Sequence, residues 1–200
     1  MKFLYPFLYI LFIFVSVNTS PFLEYFKTGF SLKYYQILPR NKSQEQFYRI
    51  YASLIEKQKG VSTLYLTFII NQVSTITALD WKLIIAMIQI ESNFRPDVKS
   101  KRTKLYYDKK YESAIGLMQV KPSTAKEVCE KYNIRYYKDV LYNAYYNVLI
   151  GSLYLRDRII KHKNLILGIK AYNVGDYSIK RGVNPEIFGN RVLKAMDSLI

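Results

Sequence analysis

The stretch IIAMIQIESNFRPDVKS, from Ile84 to Ser100, places a glutamate, Glu91, directly after a nearly unbroken apolar run. The spacing predicts a helix from Trp81 to about Ser92, with two polar residues before the glutamate. A helix that is apolar on all sides is buried, so this segment is predicted to be the central helix of an all-α domain. Asp80 supplies an N-cap at its start, and Pro96 prevents its continuation.

Glu91 stands at the C-terminal end of this predicted helix. Exposed carbonyl groups at a helix C-terminus carry partial negative charge, and apolar neighbours penalise an ionised carboxylate. Both effects raise the pKa of the Glu91 carboxyl. A glutamic acid kept neutral can donate a proton to a leaving oxygen, which suggests glycosidic bond cleavage. Position alone also allows Glu91 to turn outward where the helix ends, so both interpretations stay open at this point.

The composition fits one core domain with an anionic partner. The chain has 200 residues, of which 50% are hydrophobic, and its 30 Lys+Arg against 15 Asp+Glu give a net charge of +15. This length suits a single globular domain with a short appendage. Nucleic acid, an acidic membrane surface and the carboxylated peptide stems of a bacterial cell wall would each attract such a chain. Charge does not choose among them.

Cysteine and histidine are too scarce for several kinds of site. Cys129 and His162 each occur once, so neither an intramolecular disulfide nor a metal site built from His and Cys clusters is expected. A Ser-His-Asp triad would have to use His162, in the lysine-flanked IIKHKN, and is not expected. Cys129 lies in a helix-like segment, where a buried structural thiol is the simpler interpretation. No P-loop or G-x-G-x-x-G pattern occurs. We therefore expect neither a metal nor a cofactor.

The first twenty residues, MKFLYPFLYILFIFVSVNTS, resemble a secretory signal. Lys2 precedes an apolar run from Phe3 to Val17, and small polar residues follow. The run is short for a membrane span of about twenty residues, which favours a cleaved signal. The alternative is an uncleaved N-terminal anchor in the inner membrane. Either interpretation predicts that the rest of the chain is exported to the periplasm or cell envelope.

The remaining chain is predicted to be an extension followed by a helical domain. Residues 21–60 contain one predicted helix, which starts at a capping box of Ser43 and Gln46 and ends at Gly60. Residues 61–200 are predicted to form the domain itself. Besides the central helix, its predicted helices cover residues 62–74, 123–132, 139–161, 164–173 and 185–199. No alternating strand pattern of convincing length occurs, so the expected class is all-α.

Four short blocks follow one another along the domain. They are ESNFRPDVKS from Glu91, AIGLMQVKPSTA from Ala114, NVLIGSLYL from Asn147 and AYNVG from Ala171. In this order and approximate spacing they resemble the catalytic domain of soluble lytic transglycosylases, the peptidoglycan-cleaving branch of the lysozyme-like superfamily. The resemblance extends from about Val61 to Ile200. It implies a lysozyme-like fold and favours the catalytic interpretation of Glu91.

The resemblance implies a particular reaction. In this family the glutamate of E-S-x-F is the only essential carboxylate, so Glu91 would protonate the oxygen that links N-acetylmuramic acid to N-acetylglucosamine and would then act as a base. The C6 hydroxyl of the muramic acid would attack C1 and close a 1,6-anhydro ring. The nearest other carboxylates, Asp97, Asp108 and Glu112, are expected to be solvated loop charges. The implied partner is peptidoglycan rather than nucleic acid.

The resemblance also implies substrate contacts. Ser100 matches a serine near the catalytic glutamate, and Gln119 would offer its amide to the substrate or to the acid. Met118 would help shape the groove, with core filling as the equal alternative. Tyr172 and Asn173 match A-Y-N, where a ring and an amide are placed to hold an N-acetyl sugar.

Two further matches are structural. Gly116 is expected to permit a close backbone approach. Asn147, Gly151, Tyr154 and Leu155 match a block that lets two helices pack closely.

Three features depart from the family's pattern. The segment KRTKLYYDKKYES, residues 101–113, is longer than the usual connection and carries five cations and three tyrosines, so it is either a flap over the substrate or a surface loop. Lys121 stands where a methionine is common, which makes the groove more basic. Phe188, a predicted neighbour of the substrate, stands where many members have a tyrosine whose hydroxyl approaches the catalytic glutamate.

Two alternatives to a lytic transglycosylase stay open, and the second of them is favoured by Phe188 and the altered loop. One is a peptidoglycan hydrolase of the goose-lysozyme type, which transfers the bond to water. The other is an inactive protein that binds peptidoglycan or assists an assembly.

Overall fold

The described part of the chain contains eight α-helices, two very short strands and one 3₁₀ turn. The computed structural model describes residues 42–55, 61–101, 103–104, 111–137 and 139–199. The helices are α1 (Lys42–Leu54), α2 (Thr63–Thr77), α3 (Trp81–Ser92), α4 (Pro122–Lys131), α5 (Ala144–His162), α6 (Leu165–Val174), α7 (Asp176–Lys180) and α8 (Glu186–Asp197). Strands β1 (Thr103–Lys104) and β2 (Tyr111–Glu112) pair antiparallel, and the 3₁₀ turn is Val140–Tyr142. The predicted all-α class is confirmed for this part of the chain.

Helix α3 is the central buried helix that the sequence predicts. Its side chains from Leu83 to Ile88 are at most 2% exposed. The Asp80 carboxylate caps its start by accepting a 2.8 Å hydrogen bond from the Lys82 amide. The helix ends where Asn93 adopts left-handed backbone, with a φ of 50°. Helices α2 and α8 pack on α3, the helix that carries Glu91 near its C-terminal end.

Helix α1 belongs to the same compact unit as the rest of the described chain, which comprises residues from 42 onward. Ile50 and Leu54 are fully buried in the common core. The Gln46 side chain donates a 3.0 Å hydrogen bond to Asn71 Oδ1 and so ties α1 to α2. The expected division at residue 60 therefore separates α1 from a core that it helps to form.

Helix α5 packs against α2, α4 and α6. It begins after Asn143, whose side chain accepts a 3.2 Å hydrogen bond from the Tyr146 amide, and not at Asp139 as expected. The 3₁₀ turn occupies the residues between the predicted and the observed start. Helix α7 was not predicted, because five residues are too few to show a helical period of apolar positions.

The N-terminal residues 1–41, which include the predicted signal or anchor, lie outside the described residues. None of the helices in the described ranges combines the length and the apolar composition needed to cross a membrane. The described helices share the hydrophobic core on which the candidate site is built.

Candidate active site

A cleft of about 740 Å³ opens beside the last turn of α3. The rest of its wall comes from Ser100, the segment 114–124, the C-terminal half of α5 and the segment 172–180. The fold brings together residues from all four sequence blocks, and among those lining the cleft are Glu91, Ser100, Gln119, Tyr154, Tyr172 and Asn173.

Glu91 lies partly buried in this cleft. Burial raises the pKa of its carboxyl from 4.5 to about 8, and the positive charge of Arg191 on α8 lowers it by a smaller amount. No hydrogen bond from the described residues stabilises its charged form. The Glu91 carboxyl is therefore mainly protonated at neutral pH and can donate a proton into the cleft.

Residues Gly116–Gln119 form a tight turn in the cleft wall. Ile115 and Val120 pair across its base through amide-to-carbonyl hydrogen bonds of 3.0 and 3.1 Å. The backbone is left-handed at both ends of the turn, with φ values of 79° at Gly116 and 48° at Gln119. The Gly116 amide also donates to the Val98 carbonyl at 2.8 Å, which ties the turn to the segment that follows α3.

The buried side chain of Asn147, on α5, holds this turn in place. Its Oδ1 accepts a 2.9 Å hydrogen bond from the Met118 amide, and its Nδ2 donates to the carbonyls of Ile115 and Leu141 at 2.8 and 2.9 Å. A Cβ atom at Gly116 would lie 2.3 Å from Asn147 Nδ2. Sequence reasoning assigned Asn147 to helix packing and missed this role, because its partners lie in separate parts of the chain.

Tyr172 connects α6 to the same turn. Its hydroxyl donates a 2.6 Å hydrogen bond to the Met118 carbonyl. Burial raises the pKa of this hydroxyl well above its ordinary value, and the charges of Glu91 and Tyr154 raise it further. The rings of Tyr172 and Tyr154 lie 5.4 Å apart with their planes tilted by 60°. The hydroxyl proton is thus held in a hydrogen bond within the protein, and the Tyr172 ring is the part that can contact a ligand.

The Gln119 side chain likewise binds the protein with one group and leaves another for a ligand. Its Nε2 donates hydrogen bonds of 3.0 and 2.9 Å to the carbonyls of Val98 and Gly116, and these bonds occupy both amide protons. The side-chain oxygen is the group that remains for a ligand. Asn173 is exposed on the cleft wall, where its amide can donate and accept.

Ser100 and Glu112 secure the two ends of the segment 101–113. Ser100 Oγ accepts a 2.9 Å hydrogen bond from the Ala114 amide, and the Ser100 amide donates to the Ala114 carbonyl at 2.9 Å. Glu112 Oε2 accepts a 3.1 Å hydrogen bond from the Ser123 amide in the first turn of α4. This segment therefore begins and ends at the cleft wall, while residue 102 and residues 105–110 lie outside the described residues.

Two predicted substrate neighbours lie elsewhere. The Met118 side chain is 0% exposed and is not part of the cleft wall, because it packs inward against Gly151. A Cβ atom at Gly151 would lie 2.8 Å from Met118 Sδ. Phe188 is partly buried against the core and also lies outside the cleft wall. The position of Met118 fits the core-filling alternative, and a substrate contact of Phe188 stays a prediction.

The cleft also contains a group of charges that sequence reasoning missed. Asp176, at the start of α7, pairs with Arg158 at 2.5 Å, with Lys161, and with His162 Nε2 at 2.9 Å. Burial raises the pKa of Asp176, but hydrogen bonds from Lys161 and His162 and the charge of Arg158 outweigh burial and leave that pKa below its ordinary value. Arg158 also lies over the Tyr154 ring at 4.7 Å. The group joins side chains from α5 and α7, so no local sequence pattern predicts it.

Comparison with known proteins gives a consistent result. A family model described as the transglycosylase SLT domain matches residues 68–186. The membrane-bound lytic murein transglycosylase C of Glaesserella parasuis serovar 5 (strain SH0165) is 29% identical over 143 residues. That match covers 66% of this chain and 35% of the relative, so the chain corresponds to about a third of that protein's length.

A solved structure is also similar. It is the X-ray structure of an inactive mutant of the lytic transglycosylase Slt from Pseudomonas aeruginosa, with 17% sequence identity and a TM-score of 0.49. The similarity covers 82% of this chain and 29% of the solved chain.

Proposed function

The chain belongs to the transglycosylase SLT domain family, and from this we propose that it cleaves the glycan strands of peptidoglycan as a lytic transglycosylase. The bond cleaved is the β-1,4 link between N-acetylmuramic acid and N-acetylglucosamine. The observation that carries the proposal is Glu91, a carboxyl with a pKa of about 8 in the wall of a cleft.

In the first step Glu91 acts as a general acid. The neutral carboxyl donates its proton to the bridging oxygen, and the bond between that oxygen and C1 of the muramic acid breaks. Burial supports this role because it keeps the proton on the carboxyl at neutral pH. The leaving sugar departs with a free hydroxyl, and Glu91 is left as a carboxylate.

In the second step the same carboxylate acts as a base. It takes the proton of the C6 hydroxyl while O6 attacks C1, which forms a 1,6-anhydro ring and regenerates the neutral Glu91. No water is consumed, so the step needs no group to activate one. The positive charge of Arg191 favours the charged form of Glu91 that exists between the two steps.

The arrangement of other carboxylates supports this one-acid mechanism. Glycosidases generally use a pair of carboxylates. Among the described residues that line the cleft, Asp176 is the only other carboxylate, and two cations and His162 bind it. Asp97 is exposed outside the cleft wall, Glu112 binds the start of α4, and Asp108 lies outside the described residues.

The neighbouring polar groups would hold the substrate. The exposed amide of Asn173 and the side-chain oxygen of Gln119 bind the N-acetyl group of a sugar, and the Tyr172 ring packs on it. Ser100 also lies in the cleft wall and is a further substrate contact in this proposal. These roles extend the family resemblance residue by residue, and the positions of all four in the cleft support them.

The proposal includes an exported location. Peptidoglycan lies outside the cytoplasmic membrane, and the apolar run Phe3–Val17 is suited to direct export or to anchor the chain in that membrane. The relative from Glaesserella parasuis is named as membrane-bound, which supports a place in the cell envelope.

Product masses test the proposed reaction. Purified sacculi are digested with the protein, and the soluble muropeptides are examined by mass spectrometry. A lytic transglycosylase releases products with 1,6-anhydro ends, whereas a hydrolase of the goose-lysozyme type releases reducing ends that are one water heavier. Tight sacculus binding with no soluble product would instead favour an inactive binding protein.

A further inference from the structure

We propose that a cationic wall of the cleft, formed by Lys121, Arg158, Lys161 and Lys180, binds the carboxylates of the peptide attached to the muramic acid. This inference rests on the proposed function and adds a substrate preference to it. Peptidoglycan whose stem peptides carry free carboxylates would bind more tightly than peptidoglycan in which these carboxylates have been converted to amides.

The first support is the imbalance of charge in the cleft. Four cationic side chains lie in its wall, against Glu91 and Asp176 as the only carboxylates among the described lining residues. Glu91 is mainly neutral at pH 7, because burial raises its pKa to about 8. Only Asp176 therefore contributes a full negative charge, and the cleft keeps a positive surplus.

The second support is the distribution of ion pairs. Asp176 neutralises part of the charge of Arg158 and Lys161 and holds these side chains in position. Lys121 and Lys180 differ, since neither has a carboxylate within 4.0 Å among the described residues. The cleft wall thus combines cations whose geometry is set by Asp176 with two cations that are available to a ligand.

The third support is the chemistry of the two parts of the substrate. The N-acetyl sugars are neutral and are recognised by amides, hydroxyls and rings, which Gln119, Ser100, Asn173 and Tyr172 provide. A surplus of cations adds nothing to the recognition of a neutral sugar. The stem peptide carries carboxylates, and an ammonium group binds a carboxylate by a charge-assisted hydrogen bond. The positive surplus therefore matches the peptide part of the substrate.

Binding to two forms of the same sacculi tests the inference. The full chain carrying Glu91→Gln, which prevents digestion, is mixed with intact sacculi or with sacculi whose carboxylates have been converted to uncharged amides by a carbodiimide and excess ammonia, and the bound fraction is measured. We expect tighter binding to the intact form. Adding Lys121→Gln and Lys180→Gln should reduce this preference about fivefold, from the weakening of two partly solvated charge pairs. The preference should also fall as salt rises.

The matched control is the double variant Lys126→Gln, Lys194→Gln. Lys126 on α4 and Lys194 on α8 are both exposed outside the cleft wall, so their loss removes the same two charges without touching the cleft. This variant should keep the preference. An unchanged preference in the Lys121→Gln, Lys180→Gln protein, or equal binding to both forms by the parent, would overturn the inference. Failure of the proposed function is seen separately, as the absence of anhydro products when the wild-type protein digests the intact sacculi.

Discussion

The carboxyl of Glu91 lies where a buried helix ends and a cleft begins. Its apolar surroundings disfavour the ionised form, and the positive charge of Arg191 opposes this effect in part, so the pKa is raised to about 8. A general acid is most effective when its pKa lies near the working pH. Burial of Glu91 therefore has two effects. It destabilises the fold when the carboxyl ionises, and it raises the pKa to a value that suits proton donation.

Replacing Glu91 by glutamine should change how stability depends on pH. The unfolded chain has an ordinary glutamate pKa of 4.5, while the folded chain has one of about 8. Between these values the folded state holds a proton that the unfolded state has lost, so the free energy of unfolding falls as pH rises through this window. Glu91→Gln should therefore be more stable than wild type at pH 8.5 by roughly 4 to 5 kcal/mol.

Urea unfolding at pH 5 and pH 8.5 measures this difference. The two proteins should be similar in stability at pH 5, where most of the Glu91 carboxyl is protonated in the folded state. A wild-type protein that is as stable as the variant at both pH values would mean that the folded carboxyl ionises normally.

Arg191 should set the upper limit of the active pH range. Its charge lowers the pKa of Glu91, so Arg191→Gln removes that effect and should raise the pKa. The alkaline fall of kcat/KM for sacculus cleavage should then move to higher pH. Lys194→Gln is the matched control, since Lys194 is exposed on the same helix and has no effect on the Glu91 pKa. A shift of equal size in both variants would indicate only a change in overall charge.

Sequence reasoning predicted the direction of the Glu91 pKa shift but not its surroundings. The apolar run before Glu91 is enough to predict burial, because a helix without a polar face has nowhere else to lie. The influence of Arg191 depends on how α8 packs against α3, which no local pattern encodes. For Met118 the resemblance left a cleft contact and core filling as equal alternatives, and its full burial fits core filling, while Phe188 packs partly buried against the core.

At the scale of structural elements, the turn Gly116–Gln119 organises one wall of the cleft. Asn147 on α5 accepts a hydrogen bond from the Met118 amide, and Tyr172 on α6 donates one to the Met118 carbonyl. The turn is therefore fixed by two helices that are joined to each other. Any change that displaces it should disturb both the core and the cleft.

Gly116→Ala should destabilise the fold more than Gly182→Ala. Both glycines have left-handed backbone, with φ values of 79° and 82°, so both alanines carry the same backbone strain. A Cβ atom at Gly182 meets nothing within 4 Å, whereas one at Gly116 would lie 2.3 Å from Asn147 Nδ2. We expect a loss of about 1 kcal/mol at Gly182 and about 3 kcal/mol at Gly116.

Chemical denaturation of the two variants beside wild type measures these losses. Equal destabilisation would show that backbone strain alone accounts for the need for glycine at Gly116. It would also mean that the link between the turn and Asn147 is looser than the hydrogen bonds indicate.

The helices themselves were largely predictable because their apolar positions recur with a helical period. Residues 81–92 form a helix with the predicted bounds, since Asp80 and the left-handed Asn93 stop it at both ends. Helix α7 and the strands β1 and β2 were missed, because elements of five and two residues show no period. Helix α1 joins the core through tertiary contacts of Ile50 and Leu54. The local sequence, which suggested a boundary at Gly60, does not reveal such contacts.

At the scale of the whole molecule, the net charge of +15 would attract the chain to an acidic bacterial cell wall, as the proposed function requires. Part of this charge is concentrated in the cleft, where Lys121 and Lys180 lie within reach of a ligand. The rest is spread over the surface and acts at long range, so that it is screened by salt. Attraction to the wall and selection within the cleft are thus two separate uses of the same excess of cations.

The release of 1,6-anhydro muropeptides from purified sacculi, by wild type beside Glu91→Gln, tests most directly that Glu91 is the acid. Wild type should release them, and the variant should do so about a thousandfold more slowly, as expected for the loss of general acid and base catalysis. Urea unfolding at the assay pH confirms that the variant is folded. Unchanged release by folded Glu91→Gln protein would contradict the mechanism at its centre.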